Sequence, residues 1–262
     1  MELLLIFLLS AITLTVLLGS MFCCGCFMLA YGRYYYDRSE YDGRRNWPTF
    51  RRHRYWDIVK QYFGGVLMHY TDGKPPDNQP VLYCVHPHGL MALTTIFAFG
   101  VHGSNRDGKT AIAGTRILLW MPIIRDLFLW LGGIDCSREH IEHALLDQKR
   151  SVVLLPGGVR EMVGTDAVYD KHEGFLRLAI KHDIPLIPIY ARGEAAAVKT
   201  WCPLPRLREW CLDNVGYPFP TIFWGPFPVN LQPQVGPMIQ PSQYEDLATL
   251  KAHYYATLKG LK

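Results

Sequence analysis

Two histidines one residue apart, His86 and His88, lie in a His-Pro-His-Gly turn directly after the apolar run Val81–Val85. That run reads as a buried strand, and α/β folds present reactive groups just past strand ends. An imidazole takes up a proton near neutral pH, so a histidine here is suited to general-base work. Pro87 denies the turn a regular helix, and Gly89 lets another group approach the backbone closely. A solvated turn that happens to hold two histidines is the plain alternative. A metal site is a weaker reading. Neither His86 with His88 nor His140 with His143, three apart on a helix, has an evident third ligand.

The second block is Leu155–Pro156–Gly157–Gly158–Val159–Arg160–Glu161, after the apolar run Ser151–Leu155. A strand, a glycine turn and then charge is an arrangement that aims backbone amides at an anion. The phosphate-loop pattern G-x-x-x-x-G-K-[ST] is absent, and so is a G-x-S-x-G elbow. A serine hydrolase of the usual α/β type is therefore disfavoured.

Four short strands, Val81–Val85, Thr110–Gly114, Ser151–Leu155 and Leu186–Tyr190, would carry these blocks. They alternate with helical stretches at Leu90–Gly100, Glu139–Arg150 and Phe175–Lys181, and an amphipathic helix at Tyr244–Leu261 ends the chain. The spacing predicts an α/β fold whose largely parallel or mixed sheet is flanked by helices. Thr71–Pro80 is a turn-rich loop leading into the first strand. Ile117–Leu131, apolar, aromatic and kinked at Pro122, is expected to pack in the core or lie on a bilayer surface. Beyond Trp201 the proline-rich, aromatic composition predicts irregular structure covering an apolar surface.

The chain has 262 residues, 49% of them hydrophobic and 19% charged, which excludes a disordered or fibrous protein. A net charge of +4 is too weak to imply nucleic acid. Eight basic residues against four acidic ones fall within 31–60, and no charge separates Glu2 from Arg33. That apolar stretch would reach about 45 Å as a helix against about 30 Å of hydrocarbon. It predicts a retained membrane segment at 1–32, one tilted helix or a re-entrant hairpin. A basic juxtamembrane segment and linker would follow at 33–80, with the body at 81–262 facing the cytosol. The seven cysteines argue against a disulfide framework. Cys23, Cys24 and Cys26 read as small apolar filler rather than lipidation sites, and Cys84, Cys136, Cys202 and Cys211 as core residues.

Taken in order, YCVHPHG at 83–89, the stretch at 113–139, LLPGGVRE at 154–161, the stretch at 173–194 and VGPMI at 235–239 resemble the type-2 diacylglycerol acyltransferase family. That family includes monoacylglycerol and wax-ester acyltransferases and is similar to the wider glycerolipid acyltransferase superfamily. The resemblance implies transfer of a fatty acyl group from acyl-CoA to the hydroxyl of a neutral lipid, diacylglycerol first, with triacylglycerol as product. Monoacylglycerol, a long-chain alcohol, or a non-catalytic lipid-binding membrane role are the alternatives. By position in the superfamily histidine block, His88 is the expected base, with His86 orienting it or shaping the turn. Pro87, Gly89, Pro156, Gly157, Gly158, Arg138 and Arg160 are the expected substrate-binding residues, the arginines serving coenzyme A phosphates. The superfamily's aspartate five residues after its histidine is replaced here by Leu93, so an acid that fixes the imidazole must come from elsewhere, and Glu161 is the candidate chosen among those open. No cofactor or metal is implied beyond acyl-CoA as co-substrate. The expected partners are acyl-CoA, a neutral lipid and the bilayer, with no nucleic acid; a homo-oligomer is compatible. Endoplasmic reticulum membrane and lipid droplets are the expected locations.

Overall fold

Residues 19, 22–29, 31–32, 35–76, 78–101, 109–163 and 167–262 are described in a computed structural model. The chain divides into two compact units, Met1–Ser39 and Glu40–Lys262. In the first, residues 22–29 are helical and Cys23, Cys24 and Cys26 are exposed. No described helix is long and apolar enough to cross a membrane. Most of the expected membrane segment at 1–32 lies outside the described residues.

The second unit is built on strands that are apolar on both faces, the pattern of a sheet covered on both sides. β1 is His69–Tyr70, β2 Leu82–His86, β3 Thr110–Gly114, β4 Gly133–Asp135, β5 Ser151–Leu154, β6 Leu186–Arg192 and β9 Gln232–Val235; they join in the order β1-β9-β6-β2-β5-β3-β4. All neighbours run parallel except β9 against β6, so the sheet is mixed and mostly parallel. β2 is the middle strand, with β5 on one side and β6 on the other. Side chains alternate across it. Leu82 and Cys84 face a core layer that includes Leu176 and Tyr254, while Val81, Tyr83 and Val85 face a layer with Phe99 and Ile187.

The four strands expected from apolar runs are present, with ends moved by a residue or two. One such shift matters, because β2 extends through His86. Three strands of the sheet escape the apolar pattern: β4 and β1 are only three and two residues long, and β9 is polar, QPQV. The region after Trp201 departs from expectation. Instead of irregular cover, it forms the helix Pro205–Asn214 and a separate ribbon of β7, Lys199–Trp201, with β8, Ile222–Trp224. Pro205 occupies the first helical position, where the missing N–H costs nothing, so proline here marks a helix start.

Pro122 splits Ile117–Leu131 into the helices Arg116–Trp120 and Ile124–Trp130. Leu119 and Leu129 enter the core, whereas Trp120, Met121, Ile123 and Ile124 are exposed. Arg125 and Asp126 are themselves buried, held in ion pairs with Glu40 at 2.8 Å and Arg45 at 2.9 Å. Of the four cysteines expected in the core, Cys84 and Cys211 are buried, Cys202 is half-buried and Cys136 is exposed.

Candidate active site

His86 is the last residue of β2 and shares the face of Leu82 and Cys84, so its ring points under the helices Gly174–His182 and Leu247–Gly260. β5 lies alongside β2, and the chain leaving it turns through Pro156–Gly157 into a 3₁₀ turn, Gly158–Met162. That turn brings Glu161 back beneath the sheet edge. Glu161 Oε1 stands 2.7 Å from His86 Nδ1, with both side chains fully buried, and the same oxygen accepts from the Tyr169 amide at 2.9 Å. A carboxylate only accepts, so Nδ1 carries the hydrogen and the lone pair of His86 sits on Nε2. That Nε2 has no partner among the described residues.

Gly157 is what makes the pair fit. A methyl group at this position would overlap the Glu161 carboxylate. Gly158 serves differently, its positive φ of 54° turning its carbonyl toward the second histidine. His88 Nε2 donates to that carbonyl at 2.8 Å, which places the His88 lone pair on Nδ1. Burial lowers the His88 pKa, with the nearby Glu161 charge acting in the opposite sense, so the ring is neutral at physiological pH. His172 donates from Nδ1 to the Pro156 carbonyl at 2.9 Å and braces the same turn. The Gly158 amide, expected to face an anion, donates instead to the Leu155 carbonyl at 3.0 Å.

The acid expected to orient His88 therefore holds His86. The reason is where the strand stops: His86 is its last paired residue and keeps its facing, whereas Pro87 ends the ladder and releases His88 toward Gly158.

The other side of β2 supplies a residue that the sequence reading missed. β6 runs out through Arg192 and Gly193 to Glu194, whose carboxylate accepts from the amides of Leu93 at 2.7 Å and Thr94 at 2.8 Å. Glu194 is buried, and burial pushes its pKa up to about 7 although the Thr94 and Leu93 groups pull it down. The group that approaches Gly89 is this same side chain: a Cβ on Gly89, where φ is +58°, would lie 3.0 Å from Glu194 Cγ. A signal was available in the sequence, since LLPGGVRE and IYARGE each place glutamate shortly after an apolar strand and a glycine. The two strands flanking β2 thus each deliver one buried carboxyl group to the His-Pro-His-Gly turn.

The expected arginines stand elsewhere. Arg138 opens the helix Arg138–Glu142 after β4 and pairs with Glu142 at 3.0 Å. β4 is three strand spacings from β2, or about 14 Å. Arg138 lines a surface depression of about 520 Å³ together with Tyr41, Glu142 and His143. Arg160 turns away from Glu161 and pairs with Glu209 and Asp213 of the helix Pro205–Asn214. His140 and His143 pack against Tyr41. Among the described residues no group of three or more His, Cys, Asp or Glu is placed to hold a metal ion.

The pattern of the diacylglycerol acyltransferase family matches residues 16–241. The chain is 31% identical over 204 residues to acyl-CoA wax alcohol acyltransferase 2 of Mus musculus, covering 70% of this chain and 59% of that protein. It is 27% identical over 260 residues to 2-acylglycerol O-acyltransferase 3 of Homo sapiens, covering 84% and 72%. Similarity also extends to the crystal structure of the 1-acyl-sn-glycerophosphate acyltransferase PlsC from Thermotoga maritima, with a TM-score of 0.49 and 14% identity over 92% of this chain and 91% of that one. With the family pattern spanning most of its length and containing both the His-Pro-His-Gly and Pro-Gly-Gly turns, the chain belongs to the diacylglycerol acyltransferase family.

Proposed function

We propose that the chain transfers a fatty acyl group from acyl-CoA to the hydroxyl of a neutral lipid, and that His86, held by Glu161, is the general base. The observation that carries this reading is the fully buried His86–Glu161 pair, whose Nε2 has no partner among the described residues. A lipid hydroxyl is a poor nucleophile until a base removes its proton during attack. His86 Nε2 takes that proton as the hydroxyl oxygen bonds to the thioester carbonyl carbon. The tetrahedral intermediate then expels the coenzyme A sulfur, which leaves with the proton returned from His86. Glu161 keeps the ring in the useful tautomer and stabilises the imidazolium between the two steps.

Diacylglycerol is the proposed acceptor, with monoacylglycerol and long-chain alcohols as alternatives. The relatives' names span wax alcohol and 2-acylglycerol acyltransferases. All of these acceptors present a hydroxyl on an apolar body, and small differences in that body are worth only about 1–3 kcal/mol in a pocket. A water-insoluble acceptor implies a site fed from a bilayer, and the endoplasmic reticulum membrane and lipid droplets are the proposed locations. The exposed Trp120, Met121, Ile123 and Ile124 support contact with such a surface.

A second assignment has its own support. His88 is neutral and its Nδ1 lone pair is fixed by the bond to Gly158, so it too has a base's chemistry. Two variants separate the assignments. His86→Asn keeps an N–H toward Glu161 and removes Nε2; kcat is expected to fall about 10²–10⁴-fold. His88→Gln keeps a donor for the Gly158 carbonyl and is expected to lose far less. Microsomes expressing each variant, given labelled acyl-CoA and each acceptor in turn, provide the measurement. The reverse ranking would move the base to His88. Acyl-CoA binding without turnover on any acceptor would leave a non-catalytic lipid-binding protein.

A further inference from the structure

We infer that the C-terminal helix completes the acyl-transfer site, with the Tyr254 phenol donating a hydrogen bond to the thioester oxygen as it becomes negative. The inference rests on the acyl-transfer reading above. It concerns a helix, Leu247–Gly260, that lies beyond the stretch matched by the family pattern.

The helix is fixed at its start by Asp246, whose side chain accepts from the Thr249 amide at 2.7 Å. Leu250, Tyr254 and Leu258 recur every four residues and are buried against the sheet. Tyr254 is thus the middle of an apolar stripe, and core filling is its ordinary reading. Phenylalanine would fill that place as well. A hydroxyl there needs a partner, and among the described residues the Tyr254 oxygen meets only the sulfur of Cys84, a weak acceptor, and no nitrogen or oxygen.

The missing partner is shared by a group of atoms. His86 Nε2, Glu161 Oε2 and the Tyr255 hydroxyl are buried without partners among the described residues. The Tyr254 and Tyr255 rings lie 6.1 and 6.3 Å from the His86 ring and 5.0 Å from each other. Each buried polar group left unpaired destabilises the fold, and several of them gathered at one place point to bonds supplied by a ligand.

The atoms also match the reaction in kind. His86 Nε2 accepts only, which suits the hydroxyl that gives up its proton. The phenols donate, which suits a carbonyl oxygen gaining charge. Burial raises the Tyr254 pKa, and the neighbouring Cys84, Tyr255 and Glu161 add to the effect, so the phenol keeps its proton throughout the working range. In the transfer itself the carbonyl oxygen gains negative charge as the new C–O bond forms, and loses it as the C–S bond breaks. Tyr254 stays protonated through both steps.

Tyr254→Phe tests the assignment through two readouts that move in opposite directions. A donor used only by the reacting oxygen gives a 10²–10³-fold fall in kcat with little change in KM for acyl-CoA. Removing a buried hydroxyl bonded to nothing stronger than the Cys84 sulfur leaves the melting temperature nearly equal or higher. A variant that keeps wild-type kcat overturns the inference, and so does one that melts several degrees lower, since the hydroxyl would then serve an internal bond, to Cys84 or another group. His86→Asn in the same assay separates the two proposals. If it loses turnover while Tyr254→Phe does not, acyl transfer stands and the phenol's part falls. If the unaltered chain turns over no acceptor, both fall.

Discussion

At the ends of β2 and β5 the molecule buries polar groups, whereas along β7, β8 and the helix Pro205–Asn214 it leaves large apolar ones in solvent. Both invert the ordinary distribution, and both are informative for that reason. Around His86 some buried polar atoms are bonded to one another or to the backbone, and others have no partner among the described residues. In the second region Trp210 is 57% exposed, Phe219 59% and Phe223 52%, with nothing in the chain covering them among the described residues. A two-stranded ribbon is marginal in water without packing on another layer. The two regions meet in one 3₁₀ turn, where Glu161 points inward to His86 and its neighbour Arg160 points outward to Glu209 and Asp213. A single turn thus orients an acid for chemistry and fastens an apolar lobe beside it.

The contrast is broken most strongly from the buried side. Gly157→Ala should drive the Glu161 carboxylate from its place, because the new methyl occupies it. Loss of one member of a buried pair costs about 3–5 kcal/mol. Chemical denaturation should show a loss of that size together with loss of turnover. Gly158→Asn next door sharpens the point: its Cβ position meets nothing closer than 3.5 Å, and only the positive φ matters. There the expected cost is below about 1 kcal/mol, since asparagine tolerates this conformation. Equal effects at the two glycines would mean that space beside Glu161 is not what selects Gly157.

Next in size is the pH response of Glu194. Its folded pKa of about 7 lies above the ordinary 4.5, so the fold prefers the neutral carboxyl. Its favourable contribution is therefore complete below about pH 4.5 and is lost as pH rises through 7, a change on the order of 3 kcal/mol. Denaturation midpoints measured between pH 5 and pH 8 should fall, and Glu194→Gln should flatten that fall. An unchanged slope in the variant would assign the response to another group.

The smallest effects belong to the exposed lobe. Phe223→Ser or Trp224→Ser should shift the free energy of unfolding by no more than about 0.5 kcal/mol, as surface changes do. Leu82→Ala, in the core layer below His86, should cost about 2–5 kcal/mol. If the lobe variants approached the core variant in cost, the aromatic faces would be covered by the protein itself and the comparison would fail.

Much of the sheet was legible because β2, β3, β5 and β6 are apolar runs stopped by glycine, proline or charge, and such signals are local. β4 and β9 were not, the first too short to show a pattern and the second polar although it lies between β1 and β6. The proline-rich region after Trp201 was misread because proline starts a helix as readily as it prevents one. Glu194 was passed over because its partners, the amides of Leu93 and Thr94, are about a hundred residues away and are backbone atoms that no sequence pattern displays.

By itself the amino-acid sequence determined the family, the two turns and the residues able to move a proton, because those depend on side-chain type and short-range spacing. The tertiary structure alone decided that Glu161 meets His86 and not His88, that Arg138 and Arg160 stand apart from the pair, and that Tyr254 reaches it from the far end of the chain. Strand order places β5 and β6 beside β2, and the last paired residue of β2 decides which ring keeps the strand's facing; both follow from pairing between distant segments, which no local run of residues encodes.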